Sequence, residues 1–541
     1  MKRIVFNFFL VLSQAIFSQN FSKIDTLKGS DTSFRNFWKV SSYEFTVEPD
    51  YKDLSVSGEN KIFLYITKDI EDPIFQIDLQ QPMNYKFLGE GKEFYTKRDG
   101  DFIFVHGKGI YKKGKKLVFR VRYFGHPIIA RNAPWDGGWV FKTDDHGNPF
   151  MSVAQEGIGV SVWLPVKDTW SEEPENGIKM TIITPKGFTG VGNGRLIKKK
   201  NIGEKQAYTW QVKNPINLYD ISPTVGKFTH FGEIFLGEKG KLDLDFWVLS
   251  YNLEKAKKHF TQVKPMLKIF EYWLGPYPFY EDSYKLVESP YLGMEHQSNI
   301  AYGNHYIDGY LGRDISGTGY GLGWDYIIVH ESGHEWFANN ITAKDVADMW
   351  IHESFTTYSE VLFVNEYIGK QEGNQYAIGL RGIIENKKPI EGIYGVRKKG
   401  SADMYSKGAN MIHTLRHVLN DDEKFRNLLR SLNQKFYHKT VTRKEFVDYI
   451  NITTGVDFTS FFHQYLDTTD IPTLAYRVDG NKLSYVWKNT VPRLYLPIRI
   501  KQKDKEITIT PSDKVQHIEL PEDADVECDP NYYIFYSKES V

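Results

Sequence analysis

Tyr326-Ile327-Ile328-Val329-His330-Glu331-Ser332-Gly333-His334 is the stretch on which the reading of this chain turns. An apolar run leads into two histidines four positions apart. Residues at that spacing lie one above the other on one face of a helix, so both imidazoles reach a single ion. Glu331 follows His330 and can project toward the water beside such an ion, as a base. A third ligand is needed, and Glu353 offers one, with eighteen residues between it and His334. Asn339 and Asn340 predict the end of the first helix. Asp348 predicts the N-cap of a second, running from about Met349 to Tyr367. Folded back, that second helix places Glu353 beside the histidines. Two histidines and a glutamate leave a fourth position open, the donor set of a catalytic zinc, expected at one ion per chain. The ligand types alone do not separate zinc from other divalent metals. Glu360 lies two turns beyond Glu353 on the same face. It either orients a histidine from behind or is an ordinary helix-surface glutamate, and the spacing allows both.

The other histidines read as structural. His413 and His417 share the four-residue spacing, but Thr414 stands where a base would be needed. His352 adjoins Glu353, and neighbours on a helix point roughly 100° apart, so it is not expected on the same ion. The glycine-rich stretch from Gly317 to Gly323 lacks the Gly-Lys-Ser/Thr of a phosphate loop and reads as a loop before the metal helix.

Outward from this centre the pattern changes twice. Toward the N-terminus, Leu242, Leu244 and Phe246 alternate with Asp243 and Asp245, the signature of a half-buried strand. With recurrent turn segments this predicts an antiparallel β domain over residues 20–250. From Leu253 the period becomes helical, with Ala256, Phe260, Val263, Met266, Leu267 and Phe270 on one face and Pro265 predicting a kink or a fresh start. The helical stretch continues to about residue 470. After Ile471-Pro472 alternation returns in Leu494, Leu496, Ile498 and Ile500, giving a β domain over 471–541. The fold class is therefore multidomain α+β, in the order β, mainly α, β.

The 541 residues carry 68 Lys+Arg against 68 Asp+Glu. Such a chain has no global field to attract nucleic acid or anionic membranes. Lys2 and Arg3 precede an apolar run over residues 4–17, followed by Ser18-Gln19-Asn20. That run is shorter than the roughly 20 residues of a membrane span and predicts a signal peptide over 1–19. The expectation is export to the periplasm or the extracellular space, with no stable membrane insertion of the mature chain. Cys528 is the single cysteine, so no internal disulfide is available. Oligomeric state is not legible.

The segment from His330 to Glu360, with Trp336-Phe337, Asn340, Thr342, Asp348, Trp350 and Glu353, resembles the two-helix metal motif of the aminopeptidase N family of gluzincin-type zinc metallopeptidases. Gly293-Met294-Glu295-His296 is similar to that family's Gly-Ala-Met-Glu-Asn strand. Tyr405-Ser406-Lys407-Gly408-Ala409 is similar to its Tyr-x-Lys-Gly segment. Gln155 with Trp163-Leu164-Pro165 and Asp168 resembles a substrate-lining stretch of its first domain, and Asp467 to Val478 resembles the end of its catalytic domain. The resemblance implies a saddle-shaped first β domain, a thermolysin-like catalytic domain and a C-terminal β-sandwich-like domain. It implies peptide substrates with a free N-terminus, bound by Glu295 with Gly293, Met294 and Gln155, and Tyr405 as a donor to the oxyanion. Larger members add a helical fourth domain over the site, and without one the cleft is expected to be more open. Leu292, His296, His352 and Ser354 depart from the family pattern. His296 raises the expectation of a positive neighbour competing with the substrate amine for Glu295 near neutral pH. The rival readings are a zinc endopeptidase, which needs no amine anchor, and a non-catalytic peptide-binding protein on the same fold.

Overall fold

The computed structural model describes residues 21–89, 91 and 93–539. The expected signal peptide lies outside the described residues. Trp38–Asp50 and Ser55–Ile66 pair antiparallel at the heart of a seven-stranded sheet. Their inward residues, among them Tyr43, Phe45, Val47, Ile62 and Leu64, are buried in alternation, as a one-faced sheet requires. A four-stranded sheet containing Gly138–Thr143 and Pro149–Ala154 shares this core through Trp139, Met151 and Val153. Glu156 and Gln155 follow directly from the end of that last strand.

The hairpin Phe228–Gly237 and Gly240–Leu249 alternates as the sequence predicts, but it does not join the first domain's sheets. Leu244 to Trp247 pair in parallel with Tyr284 to Val287, within a five-stranded sheet that also holds Gly293–Met294 and Ile300–Tyr302. Leu242, Leu244, Phe246 and Val248 accordingly lie in the catalytic core. By sheet membership the seam falls before Phe228 rather than at residue 250. Period-2 alternation identifies a strand and says nothing of which sheet it joins.

Leu253–His259 and Val263–Leu274 form two helices linked by a 3-10 turn. Pro265 sits in the first turn of the second, where an absent N–H costs nothing, so it marks a fresh start. Beyond Pro472, strands Thr473–Asp479, Lys482–Lys488, Gln516–Glu519 and Phe535–Lys538 form one sheet, and Ile498–Gln502, Lys505–Ile509 and Glu527–Cys528 a second. Leu474, Ile498, Ile500 and Tyr533 from this β domain continue the catalytic core without a break. Among the described residues no helix is long and apolar enough to cross a membrane.

A buried lysine fastens the first two domains together. Lys285, on Tyr284–Glu288, donates from Nζ to Gly192 O (3.0 Å), Gly194 O (2.6 Å) and Ser298 O (2.9 Å). Burial pushes its ammonium down to about 8 against the pull of Asp245 and Asp282. Three carbonyl acceptors offset much of the cost of burying that charge.

Candidate metal centre

Tyr326–Gly333 forms the first metal helix, and the Asp325 carboxylate caps it by accepting from Ile327 N (2.9 Å) and Ile328 N (3.2 Å). The helix closes at His334, earlier than Asn339 and Asn340 predict. The chain then turns tightly, with Asn339 N donating to His334 O (3.0 Å) and Asn340 N to Glu335 O (3.1 Å). Trp350–Tyr367 is the second metal helix. Asp348 does not cap it. Its carboxylate accepts instead from Tyr394 Oη (2.6 Å), Arg443 N (2.9 Å) and Trp350 Nε1 (3.3 Å), fixing the turn to distant segments.

The two helices bring three ligand atoms to one point. His330 Nε2 and His334 Nε2 are 3.3 Å apart, and Glu353 Oε2 lies 3.4 Å from His334 Nε2 and 3.7 Å from His330 Nε2. Tetrahedral ligands at about 2.0–2.1 Å from zinc stand about 3.4 Å from one another. Glu353 Oε2 is buried without a hydrogen-bond donor, which is the condition of an atom reserved for a cation. The donor set therefore fits zinc. Burial opposes charging of His334, but the facing Glu353 carboxylate outweighs it and lifts the imidazole to about 9.

The remaining ring nitrogens are fixed from behind. His330 Nδ1 donates to Glu360 Oε1 (2.6 Å), and Tyr376 Oη donates to Glu360 Oε2 (2.8 Å). His334 Nδ1 donates to Phe337 O (3.0 Å). Both arrangements leave Nε2 free to ligate. Glu360 is thus a buried orienting group, not a surface carboxylate.

Glu331 lies in the cleft against Gly293. A Cβ on Gly293 would meet Glu331 Oε1 at 2.7 Å and Ile327 Cγ2 at 2.9 Å, so only glycine lets the strand approach this closely. Burial, the largest influence, raises the Glu331 carboxyl to about 7. Tyr405 precedes the helix Ser406–Leu419 and donates from Oη to Glu353 Oε1 (2.8 Å). A Cβ on Gly408 would fall 1.9 Å from Ser354 Oγ, so the contact between these helices needs both small residues. Burial keeps the Tyr405 phenol protonated and hence a donor.

Glu295 follows Met294 and is buried beside the ligands, with Tyr219 Oη donating to its Oε1 (3.1 Å). Glu295, Glu331 and His334 also converge, with ligand atoms within 4.8 Å of one another. Gln155 does not face the cleft. Its Nε2 donates to Tyr219 O (3.0 Å) and Ile221 O (2.6 Å), its Oε1 accepts from Trp163 Nε1 (2.8 Å), and it is fully buried. The next residue, Glu156, lines the cleft instead. Glu156 Oε1 is buried without a donor, and burial, then the charge of Glu295, push this carboxyl up to about 8. Sequence reasoning missed Glu156. The available signal was a carboxylate next to Gln155 at a strand end, where alternation turns neighbours to opposite faces.

His296 does not compete for Glu295 as a cation. It is buried, and burial pushes its imidazole down to about 3. His352 accepts from Ala343 N at Nε2 (2.7 Å) and stacks on Trp170. His413 engages Tyr358 Oη (3.1 Å) and Asn531 Oδ1 (3.1 Å), and His417 Nδ1 accepts from Arg499 Nη2 (2.9 Å). These three are committed elsewhere. The cleft around the ligands measures about 1200 Å³ and is walled by both the first domain and the catalytic domain.

Comparison with known proteins agrees with this geometry. A family model for the peptidase family M1 domain matches residues 251–465. "Probable aminopeptidase 1" of Sulfurisphaera tokodaii is 21% identical over 369 residues, covering 65% of this chain and 44% of the relative. "Probable aminopeptidase 2" of the same organism is 19% identical over 493 residues, covering 87% of this chain and 59% of the relative. The chain thus spans about half the length of these curated relatives. A solved M1 zinc metallopeptidase from Deinococcus radiodurans, a mutant bound to a Tyr-Ser-Ala substrate, shares the fold. Its TM-score is 0.66 at 17% identity, over 82% of this chain and 98% of that one. With the motifs in order around it and the same fold, residues 251–465 carry a peptidase family M1 domain, the domain found in aminopeptidase N-type gluzincins.

Proposed function

We propose that the chain is a zinc-dependent aminopeptidase that releases N-terminal residues from peptides with a free N-terminus. The observation that carries this reading is the pair of carboxylates in the cleft of the ligand triad, Glu295, which is buried, and Glu156, which is half-buried with its Oε1 shielded from solvent. A free α-ammonium entering a partly dry cleft loses hydration and needs anionic partners. An endopeptidase has no use for such a pair.

His330, His334 and Glu353 would hold one zinc per chain. Bound there, zinc supplies a Lewis acid that polarises the scissile carbonyl and lowers the pKa of water. Glu331 takes a proton from the attacking water and returns it to the leaving amine. Its raised carboxyl pKa suits a group that both accepts and delivers a proton near neutrality. Tyr405 donates to the oxygen on which negative charge develops, worth about 3 kcal/mol in the transition state. Glu295 and Glu156 hold the terminal ammonium, so the first peptide bond is the one presented. The intact Glu331 favours catalysis over a merely peptide-binding role. The charged, apolar N-terminal run supports export of the mature chain.

The test compares aminoacyl fluorogenic substrates with their N-acetylated forms, with and without chelator, beside elemental analysis of the protein. Release from free-amine substrates alone, lost on chelation, is the expected result. Equal cleavage of acetylated peptides at internal bonds sinks the aminopeptidase reading in favour of an endopeptidase. No cleavage of either by zinc-loaded protein leaves a binding protein. For export, N-terminal sequencing of the secreted chain should begin near Asn20, and a chain retained inside the cell would refute it.

A further inference from the structure

One large aromatic group on the cleft is used neither by the ligand triad nor by the carboxylate pair. Trp135 lines the cleft with Glu156, Glu295 and His330, yet 64% of its surface is exposed. Indoles of this size are normally well covered.

The turn that carries it is held firmly. Asp136 Oδ2 accepts from Arg131 N (2.6 Å) and Asn132 N (2.9 Å), and Trp135 N donates to Asn132 O (2.9 Å). At its ends Trp139 N donates to Ile128 O (2.9 Å) and Ala130 N to Trp139 O (2.9 Å). Ala130 and Ala133 pack on a small core that includes Tyr291 and Met294, and Met294 immediately precedes Glu295. On the other side Gly137, at φ +72°, abuts the segment after Glu156. A Cβ on Gly137 would lie 2.9 Å from Ile158 Cγ2 and 3.3 Å from Ala154 O. The turn is therefore wedged between the two segments that carry the carboxylate pair. Its indole lines the same cleft as Glu156 and Glu295, with Pro134, Ile158 and Met294 among the apolar lining residues.

We propose that Trp135 is a specificity-determining residue that packs on the side chain of the substrate's N-terminal residue and favours aromatic and large aliphatic ones. This rests on the aminopeptidase reading above. The exposed indole face leaves water only when a side chain covers it, and the methyl of alanine covers little. Contact between aromatic faces adds a preference of about threefold to tenfold.

The experiment uses the full zinc-loaded chain with Phe-, Leu- and Ala-aminomethylcoumarin, which share one leaving group. Wild-type release of coumarin from these, and not from their acetylated forms, establishes the underlying activity before the variants are compared. Trp135→Ala is expected to lower kcat/KM for the Phe and Leu substrates about threefold to tenfold while leaving the Ala substrate within about twofold. Trp135→Phe is expected to restore most of the Phe preference. Zinc content and Tm should not change, because the side chain is exposed. Equal losses on all three substrates, an unchanged Phe-to-Ala ratio in Trp135→Ala, or a wild type with no preference for Phe over Ala would each overturn the proposal.

Discussion

Replacing Gly293 by alanine tests how the base is positioned without touching a ligand. The new Cβ would arrive 2.7 Å from Glu331 Oε1, 2.9 Å from Ile327 Cγ2 and 3.2 Å from Glu331 Cδ. Ordinary contact begins near 3.4 Å, so something must give by about 0.7 Å. Ile327 is held in the body of the metal helix, whereas the Glu331 carboxylate is the free end of a side chain. The carboxylate should therefore move first. A misplacement of about 1 Å in a reacting constellation costs about 100-fold, so the expected fall in kcat is about 10- to 100-fold, or about 1.4–2.7 kcal/mol. If the strand retreats instead, Glu295 two residues on moves with it and KM rises. Steady-state kinetics on a free-amine aminoacyl substrate separates the two responses. Elemental analysis should find zinc retained, because the atoms nearest the new methyl belong to Glu331 and Ile327 and not to His330, His334 or Glu353. A zinc-loaded Gly293→Ala protein with wild-type kcat and KM would refute the claim that this glycine sets the place of Glu331.

Glu331→Gln should keep its zinc and lose about 100- to 10,000-fold in kcat, and near-normal turnover would remove Glu331 from the base role. Tyr405→Phe should lower kcat by about 100-fold with little change in KM, because its donor matters most where charge develops; an unchanged kcat would return Tyr405 to a packing role. Glu360→Gln should weaken zinc affinity about 10- to 100-fold in a competition with a chromophoric chelator, because His330 Nδ1 loses its charged acceptor; equal affinity would contradict the orienting role. Burial pushes His296 down to about 3 and His438 down to about 4 in the folded chain. The unfolded chain therefore binds more protons below about pH 6.5, so their stabilising contribution is full above that pH and drains away toward pH 4. Tm of zinc-loaded protein should fall across that window, and His438→Asn should flatten the slope; a slope equal to wild type would dismiss His438 as a source.

The parts of the site legible in the sequence are those set by local helical geometry. His330 and His334 are one turn apart, so their convergence follows from the helix alone. Glu353 could be read because its helix returns along the first. The early close of the metal helix at His334 was not legible, because tertiary bonds of Asn339 and Asn340 decide it. Asp348 looks like a cap by residue type and is claimed by Arg443 and Tyr394, both remote in sequence. Glu156 was hidden by its neighbour Gln155. Which of two adjacent residues faces a cleft depends on strand phase, and that phase is set by burial of Val153 and Ala154 against other segments. The assignment of the hairpin 228–249 failed for a similar reason. Its partner strand begins at Tyr284, and non-local pairing leaves no mark in a periodicity.

The seam held by Lys285 separates two tasks along the chain. All three ligands, the base and Tyr405 lie in the span 330–405, while Glu156 and the Trp135 turn belong to the first domain. The groups proposed to hydrolyse and part of the surface proposed to read the substrate thus lie in separate stretches of the chain, joined by a charge that three carbonyls grip. A chimaera made at this seam would exchange Glu156 and the Trp135 turn while keeping Glu295 and the ligand triad. During synthesis the first domain leaves the ribosome before the metal helices exist, so Glu156 and the Trp135 turn are in place before Glu295 and the ligand triad arrive to complete the cleft.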